Sequence, residues 1–324
     1  MSSNKISVII TAHDRKKYIL DALNSVINNA IPSDKLEIVI VKNYKDDYID
    51  YEIEKLSKRY NIVSLIENNF KLGAKISAGI KNSQGEIVTF LEDDDLYLPY
   101  RLINILKIFN DTSIIFYHNM FEILGNKRID EIVSNYKHNI ILSCDDSKQS
   151  EYKYLASTEA KFNLSSIAVR KNILDSWTDV ILKVNFAVDN LLFYISLSEK
   201  GCLMIDPKIF TKFRVSDKKD YYVKNPNGLY TFKQFISEKY YEDFILMNTI
   251  FKNSYFKDLI REGLLFWYLE SKILSEDNNK QFNLNLLEYL DIFIRNKFFI
   301  ALYLVSLFPS KLRKYFIRRY LLYK

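Results

Sequence analysis

The sequence predicts an α/β fold: a mostly parallel sheet with helices on both faces. Three observations lead there. Strand-like apolar runs alternate with helical stretches at short intervals through the first part of the chain. The runs are near-continuous and β-branched rather than alternating, as expected of strands buried on both faces. Strand–helix alternation calls for parallel neighbours, because these need crossover connections.

In chain order, residues 5–11 (KISVIIT) form the first strand. A helix follows over 14–30, with Ile19, Leu23, Val26, Ile27 and Ala30 at helical spacing and Asp14 placed to cap its start. Residues 36–41 (LEIVIV) form a second strand, 46–59 a charged helix, and 62–67 (IVSLIE) a third strand. Residues 72–83 (LGAKISAGIKNS) read as a helix closing at Gly85, 86–95 (EIVTFLEDDD) as the fourth strand, and 98–109 as the next helix. Further on, 113–124 and 165–170 look like strands. A helix beginning near Asp189 ends at Gly201, its expected C-cap, and 202–215 is a strand pair or one bent strand. Residues 216–230 (SDKKDYYVKNPNGLY) are charged and end in Pro and Gly, so they read as a linker. The expected division is an α/β domain over 1–225 and a helical C-terminal region over 226–324.

Composition bounds the function. The 324 residues are 48% hydrophobic and 15% aromatic, enough for a sizeable core and against wholesale disorder. Two cysteines are too few for a disulfide framework, and neither they nor the three histidines have zinc spacing. The start, MSSNKISVIITAHD, reads as a strand rather than a signal peptide. A reduced, cytoplasmic setting is the simplest expectation. The net charge of +6 is concentrated in the tail, because residues 292–324 contain eight Lys or Arg and no acid. The chain is therefore no polyanion binder by composition, and no nucleic-acid partner is expected.

Open α/β sheets bind ligands outside the carboxyl ends of their strands. Three polar groups fall there: Thr11, His13 and Asp14 after the first strand, Lys42 and Asn43 after the second, and the acids Glu92, Asp93, Asp94 and Asp95 after the fourth. Four adjacent carboxylates repel one another. One of them, Asp95, is placed to cap the helix behind Pro99. A cap leaves three unexplained, whereas a hard divalent cation offsets the repulsion and needs only one or two carboxylates plus substrate phosphates.

The blocks ISVIITAHDRKKYILDALNSVI, LEIVIV, LGAKISAGIKNSQGEIVTFLEDDDLYLPYRL and VDNLLFYISLSEKG, in this order and spacing, together resemble the family 2 glycosyltransferases. These are inverting GT-A enzymes that use nucleotide-diphosphate sugars. The resemblance covers roughly residues 5–215. It implies a GT-A catalytic domain in which the acidic block is a DxD-type motif. Asp94, with Glu92 beside it, would hold Mn2+ or Mg2+, and Asp93 would contact the ribose. Thr11 and Asp14 match positions lining the nucleotide pocket, although a plain strand-end hydroxyl is an equal reading for Thr11. At the end of the second strand the family's base-binding Asp is replaced by Lys42, which has no acceptor for a uracil N–H. Asn43 offers one through its amide oxygen, and Lys42 either faces a phosphate or is solvated. Lys75 is the cation nearest the nucleotide in the region around Gly73, or else lies on a solvated helix face. Asp189 falls where the family places the general base, at a helix start that would keep its pKa low. Glu159 and Asp145 are weaker substitutes, and an N-cap role is the rival reading of Asp189.

The resemblance implies a UDP-sugar or GDP-sugar donor and a glycan or lipid-linked acceptor hydroxyl. A nucleotidyltransferase would show a Gly-rich loop after the first strand, and TAHDRKKY has no Gly. A non-catalytic sugar-nucleotide-binding or scaffold protein is the other alternative, and Lys42 speaks for it. The tail carries FFIALYLVSLF, residues 298–308, eleven residues against the about 20 a bilayer span needs. Beyond it Leu312, Tyr315, Phe316, Tyr320 and Tyr323 share a helical face, with Arg313, Lys314 and Arg318 elsewhere. This reads as an interfacial anchor on the inner face of the membrane, or as a core helix pair or oligomer contact.

Overall fold

A run of seven residues with only two small hydroxyls has its stable place in the middle of a sheet. β1 (Ile6–Ala12) lies there, buried along its whole length. The computed structural model describes residues 4–124, 140–214, 226–275, 285–310 and 312–313. The chain divides into two units, Met1–Ser216 and Asp217–Lys324.

In the first unit, β1 pairs in parallel with β2 (Leu36–Lys42) on one side and β4 (Ile87–Glu92) on the other, and β2 pairs in parallel with β3 (Ile62–Ile66). Helices α1 (Ile19–Ile27), α2 (Asp47–Ser57) and α3 (Leu72–Lys81) make the connections. α1 buries Ile19, Ala22, Leu23 and Val26 against Val8, Ile10, Ile38 and Leu91. Past β4 the sheet turns mixed. β8 (Ile167–Arg170) runs antiparallel to both β4 and β6 (Ile114–Leu124), and β6 is parallel to β9 (Cys202–Arg214). Two short strands, β5 (Leu96–Tyr97) and β7 (Ile141–Ser143), pair antiparallel with β9. The remaining helices of this unit are α4 (Arg101–Ile108), α5 (Asp145–Ser157), α6 (Lys171–Ile181) and α7 (Val188–Ser198).

The fold differs from the sequence expectations at identifiable points. β4 stops at Glu92, so Asp93 and Asp94 lie in a turn rather than in a strand. Asp95 caps nothing, because α4 starts at Arg101 behind Tyr100, which takes a left-handed backbone. Asp14 does not cap α1, which begins five residues later behind Tyr18. α7 ends at Ser198, so Gly201 is no C-cap. It turns the chain into β9 with φ +126°, a conformation that favours glycine. β9 is one strand whose pairing with β6 shifts register around Met120. α8 (Pro226–Ile250) takes in the end of the expected linker, and residues 216–225 lie outside the described part. Cys144 and Cys202 are joined by a disulfide, Cα to Cα 4.1 Å, so the cysteine count no longer supports a reduced setting.

One close approach positions the site. A Cβ on Gly73 would stand 2.0 Å from the Ile181 carbonyl oxygen, so only glycine lets α3 lie this near the end of α6. Leu72 and Gly73 then donate their N–H groups to the carbonyls of Asn185 and Val184, at 2.8 and 3.2 Å. Two of the open amides of α3 are thereby satisfied by the segment that leads into α7.

The second unit contains α8, α9 (Lys257–Leu274), α10 (Leu290–Arg295) and α11 (Lys297–Ser306). α8 and α9 meet at Gly263, where a Cβ would stand 2.1 Å from Phe244, and through the stacked rings of Tyr240 and Trp267. Arg313 is buried and donates to the carbonyls of Lys272 and Ser275, closing the carboxyl end of α9. It is a helix cap and not part of a basic surface. Lys314, Tyr315, Phe316, Arg318, Tyr320 and Tyr323 lie outside the described residues. No described helix is long and apolar enough to cross a membrane.

Candidate active site

Register brings the polar strand ends together. Thr11 stands across from Val41 on one side and Glu92 on the other, and Ala12 across from Lys42. The ladder continues one bond beyond β4, with Asp93 N–H donating to the Thr11 carbonyl at 3.1 Å. The acidic turn therefore begins directly beside the end of β1.

The turn is gripped from three sides. Arg15 donates one guanidinium nitrogen to Asp93 Oδ1 and the other to Asp94 Oδ2. Ser165 Oγ donates to Asp95 Oδ2 at 2.6 Å and accepts from Glu92 N–H at 3.1 Å. Arg214, at the end of β9, donates its backbone N–H to Asp95 Oδ1 (2.9 Å) and Nε to the Asp94 carbonyl (3.0 Å), with its guanidinium 4.0 Å from the Tyr18 ring centroid. Asp93, Asp94 and Asp95 are all buried.

Burial makes this cluster electrostatically unsatisfied. It pushes the Asp93 carboxyl up to about 7, against the lowering effect of Arg15. It likewise pushes Asp95 up to about 7, against the hydrogen bonds from Ser165 and Arg214. Asp94 is raised by burial as well, and Glu92 well raised by burial together with the neighbouring Asp95 and Asp94 carboxylates. Asp93 Oδ2 is buried with no hydrogen-bond partner. A donor set of two acids with an orphaned oxygen fits a hard cation completed by substrate phosphates. Among the described residues no group of three or more acids, histidines or cysteines forms an all-protein cage.

The residues expected on the nucleotide side are placed less as anticipated. Asp14, with φ 54°, donates its N–H to Asn43 Oδ1, and Asn43 Nδ2 donates to Asp14 Oδ1, both at 2.9 Å. The amide oxygen expected to meet a base is thus engaged by Asp14. Lys42 neither faces a phosphate nor is solvated. It is 1% exposed, ion-paired to Asp50 at 2.7 Å and bonded to the Tyr44 carbonyl at 2.8 Å. The lysine is a structural replacement that looks inward. Lys75 also leaves the solvated helix face. It is buried, donates to the Asn69 carbonyl at 2.7 Å, and its pKa is lowered by burial against the pull of Glu67 and Asp14. Thr11 is buried beneath the turn.

Asp189 lies in the first turn of α7, and its Oδ1 accepts from Asn190 N–H (2.8 Å) and Asn190 Nδ2 (3.1 Å). Its carboxyl is raised to about 6, not held low. Burial outweighs the hydrogen bonds from Asn190 and from the Asn163 backbone. Asn163 has a left-handed backbone, φ 66°, and its side chain donates to Ser166 Oγ at 2.9 Å. One short segment thus touches Asp189 through Asn163 and the acidic turn through Ser165. Asp145 is drawn elsewhere, to Gly201 N–H and Lys148, and Glu159 is exposed.

Sequence reasoning missed Arg15, Asn163, Ser165 and Arg214. Only Arg15 carried a signal, as a cation next to Asp14. Ser165 and Arg214 reach the turn, and Asn163 reaches Asp189, through pairings that no local pattern announces.

The sequence model of glycosyl transferase family 2 matches residues 7–171. An uncharacterized glycosyltransferase of Nostoc sp. is 33% identical over 131 residues, 39% of this chain and 40% of that protein. The poly(ribitol-phosphate) β-N-acetylglucosaminyltransferase TarS of Staphylococcus aureus is 32% identical over 93 residues, 28% of this chain and 16% of TarS. This chain therefore spans less than half the length of these relatives. TarS residues 1–349 in complex with UDP-GlcNAc superpose with a TM-score of 0.57 at 18% identity, covering 92% of this chain and 81% of that one. A mannosyltransferase of Pyrobaculum calidifontis in complex with GDP-Man and Mn2+ gives 0.56 at 13% identity, covering 97% and 85%. These likenesses establish the GT-A fold.

Proposed function

Because the chain belongs to glycosyl transferase family 2, we propose that it is a metal-dependent inverting glycosyltransferase, moving a sugar from a nucleotide-diphosphate donor to an acceptor hydroxyl. One observation supports the reading: Asn163 meets Asp189 through its backbone, and Ser165, two residues on, binds the acidic turn. A cation-binding pair and a base are what a single displacement at an anomeric carbon needs on its two sides. The expected pair was Asp94 with Glu92, leaving Asp93 to the ribose. We move the ion to Asp93 and Asp94, because Arg15 joins these two and Asp93 carries the orphaned oxygen, whereas Glu92 ends β4; together they would hold Mn2+ or Mg2+. When bound, the ion supplies Lewis-acid stabilisation of the leaving diphosphate. Asp189 takes the proton from the acceptor hydroxyl as the new bond forms. A carboxyl titrating at about 6 is ionised at neutral pH and more basic than an ordinary aspartate, which suits that step. Thr11, Asp14, Asn43 and Lys75 border the nucleotide on the β1–β2 side, with the Asp14–Asn43 pair as its rim.

The relatives with UDP-GlcNAc and with GDP-Man support a UDP-sugar or GDP-sugar as donor. The acceptor would be a glycan or lipid-linked glycan hydroxyl, and TarS, by name a poly(ribitol-phosphate) transferase, is a relative that acts on a polymer. The test is a hydrolysis and binding screen of UDP- and GDP-sugars with Mn2+ and Mg2+. At least one donor should turn over slowly and lose turnover with EDTA. Failure of every donor to bind or turn over rejects the reading.

The C-terminal unit would hold the enzyme at the inner membrane surface. Ile294 is 80% exposed, and Phe298, Ile300, Leu304 and Leu307 are also exposed on a segment rich in Lys and Arg. Liposomes with anionic lipid should pellet the full chain and fail to pellet it when residues 292–324 are removed. Equal pelleting of both removes the anchor.

A further inference from the structure

Arg15 stands between β1 and α1, one residue past Asp14. Its guanidinium bridges the two carboxylates assigned to the cation, Asp93 and Asp94. Its backbone is held separately, since Tyr44 Oη donates to the Arg15 carbonyl at 2.9 Å. The side chain is 33% exposed, so the main chain is clamped while the side chain is only partly enclosed. The guanidinium satisfies Asp93 by half, because Oδ2 has no partner.

A guanidinium and a divalent ion on the same acid pair repel each other strongly where water is scarce. Two acids and one Arg15 leave one negative charge, whereas two acids and a divalent ion leave none. Arg15 released from the acids would stand unpaired beside a diphosphate that needs neutralising.

We propose that Arg15 is a built-in counter-cation that competes with the divalent ion for Asp93 and Asp94, and that it moves to the donor diphosphate when the ion displaces it. Ion and nucleotide then bind cooperatively. The ion alone must displace Arg15 without compensation, while with a diphosphate present Arg15 gains a new partner. By linkage each ligand tightens the other by the same factor. The inference rests on the cation assignment made above.

Mn2+ titrations followed by electron paramagnetic resonance, with and without UDP, test it on the full chain. Arg15→Gln should bind Mn2+ alone about tenfold more tightly than wild type, and UDP should tighten Mn2+ about tenfold less in the variant. Mn2+ should also raise the melting temperature of Arg15→Gln more than that of wild type. Arg15→Lys, which keeps the charge, should retain weak binding of Mn2+ alone and keeps the test open if the glutamine variant does not fold. Equal or weaker Mn2+ binding by Arg15→Gln overturns the competition. Absence of Mn2+ binding in every chain, or binding by Asp94→Ala equal to wild type, overturns the cation assignment and this inference with it.

Discussion

Asp94→Ala abolishes Mn2+ binding and lowers sugar transfer by about 10³-fold, the scale expected when several kcal/mol of charge stabilisation on a leaving diphosphate are lost. The variant should still fold. Its carboxylate is bound by Arg15, while the turn remains fixed by Ser165 and Arg214 on the neighbouring residue and on the Asp94 carbonyl. Circular dichroism and a melting curve near wild type, beside lost Mn2+ binding, separate a missing ligand from a broken fold. Retained activity with Mn2+ would remove Asp94 from the cation site. Asp95→Ala should behave differently. It breaks two hydrogen bonds, one buried and one part-buried, that tie Ser165 and β9 to the turn, so stability falls together with activity.

Asp189→Asn lowers kcat by about 10²–10⁴-fold, the contribution of a positioned general base. Mn2+ and UDP affinities should be unchanged, because the carboxyl meets Asn163 and Asn190 rather than the acidic turn. The pH profile gives a second check. Protonation inactivates a base, so the rate should fall as pH drops through about 6, and Asp189→Asn should lose that acid limb. A profile flat from pH 5 to 8 in wild type, or an unchanged kcat in the variant, would falsify the assignment.

Much of the fold was legible because its parallel half is built from long apolar runs with amphipathic helices between them. β1, β2 and β4 carry their burial in their composition. β5 and β7, at two and three residues, are too short for periodicity to register, and they exist only because β9 offers an edge. The site was legible in the same uneven way. Four adjacent acids behind a buried strand are a conflict visible in one line of sequence. Lys42 was misread because its partner, Asp50, lies on the next helix and turns the ammonium inward. Asp189 was placed correctly in its helix, but its pKa followed burial rather than the helix terminus, and burial is a property of the assembled unit. Arg15 and Arg214 reach the acids from 79 and 120 residues away in sequence, distances over which local pattern says nothing.

The disulfide between Cys144 and Cys202 makes a covalent ring of the chain between them. That ring carries β8, Asn163, Ser165 and Asp189. A protease that cuts once inside it releases no fragment, and the two pieces travel as one molecule until a reductant opens the bridge. The half of the site that bears the proposed base is thus held by topology as well as by packing. A nicked enzyme can keep its parts in register where a reduced and nicked one cannot.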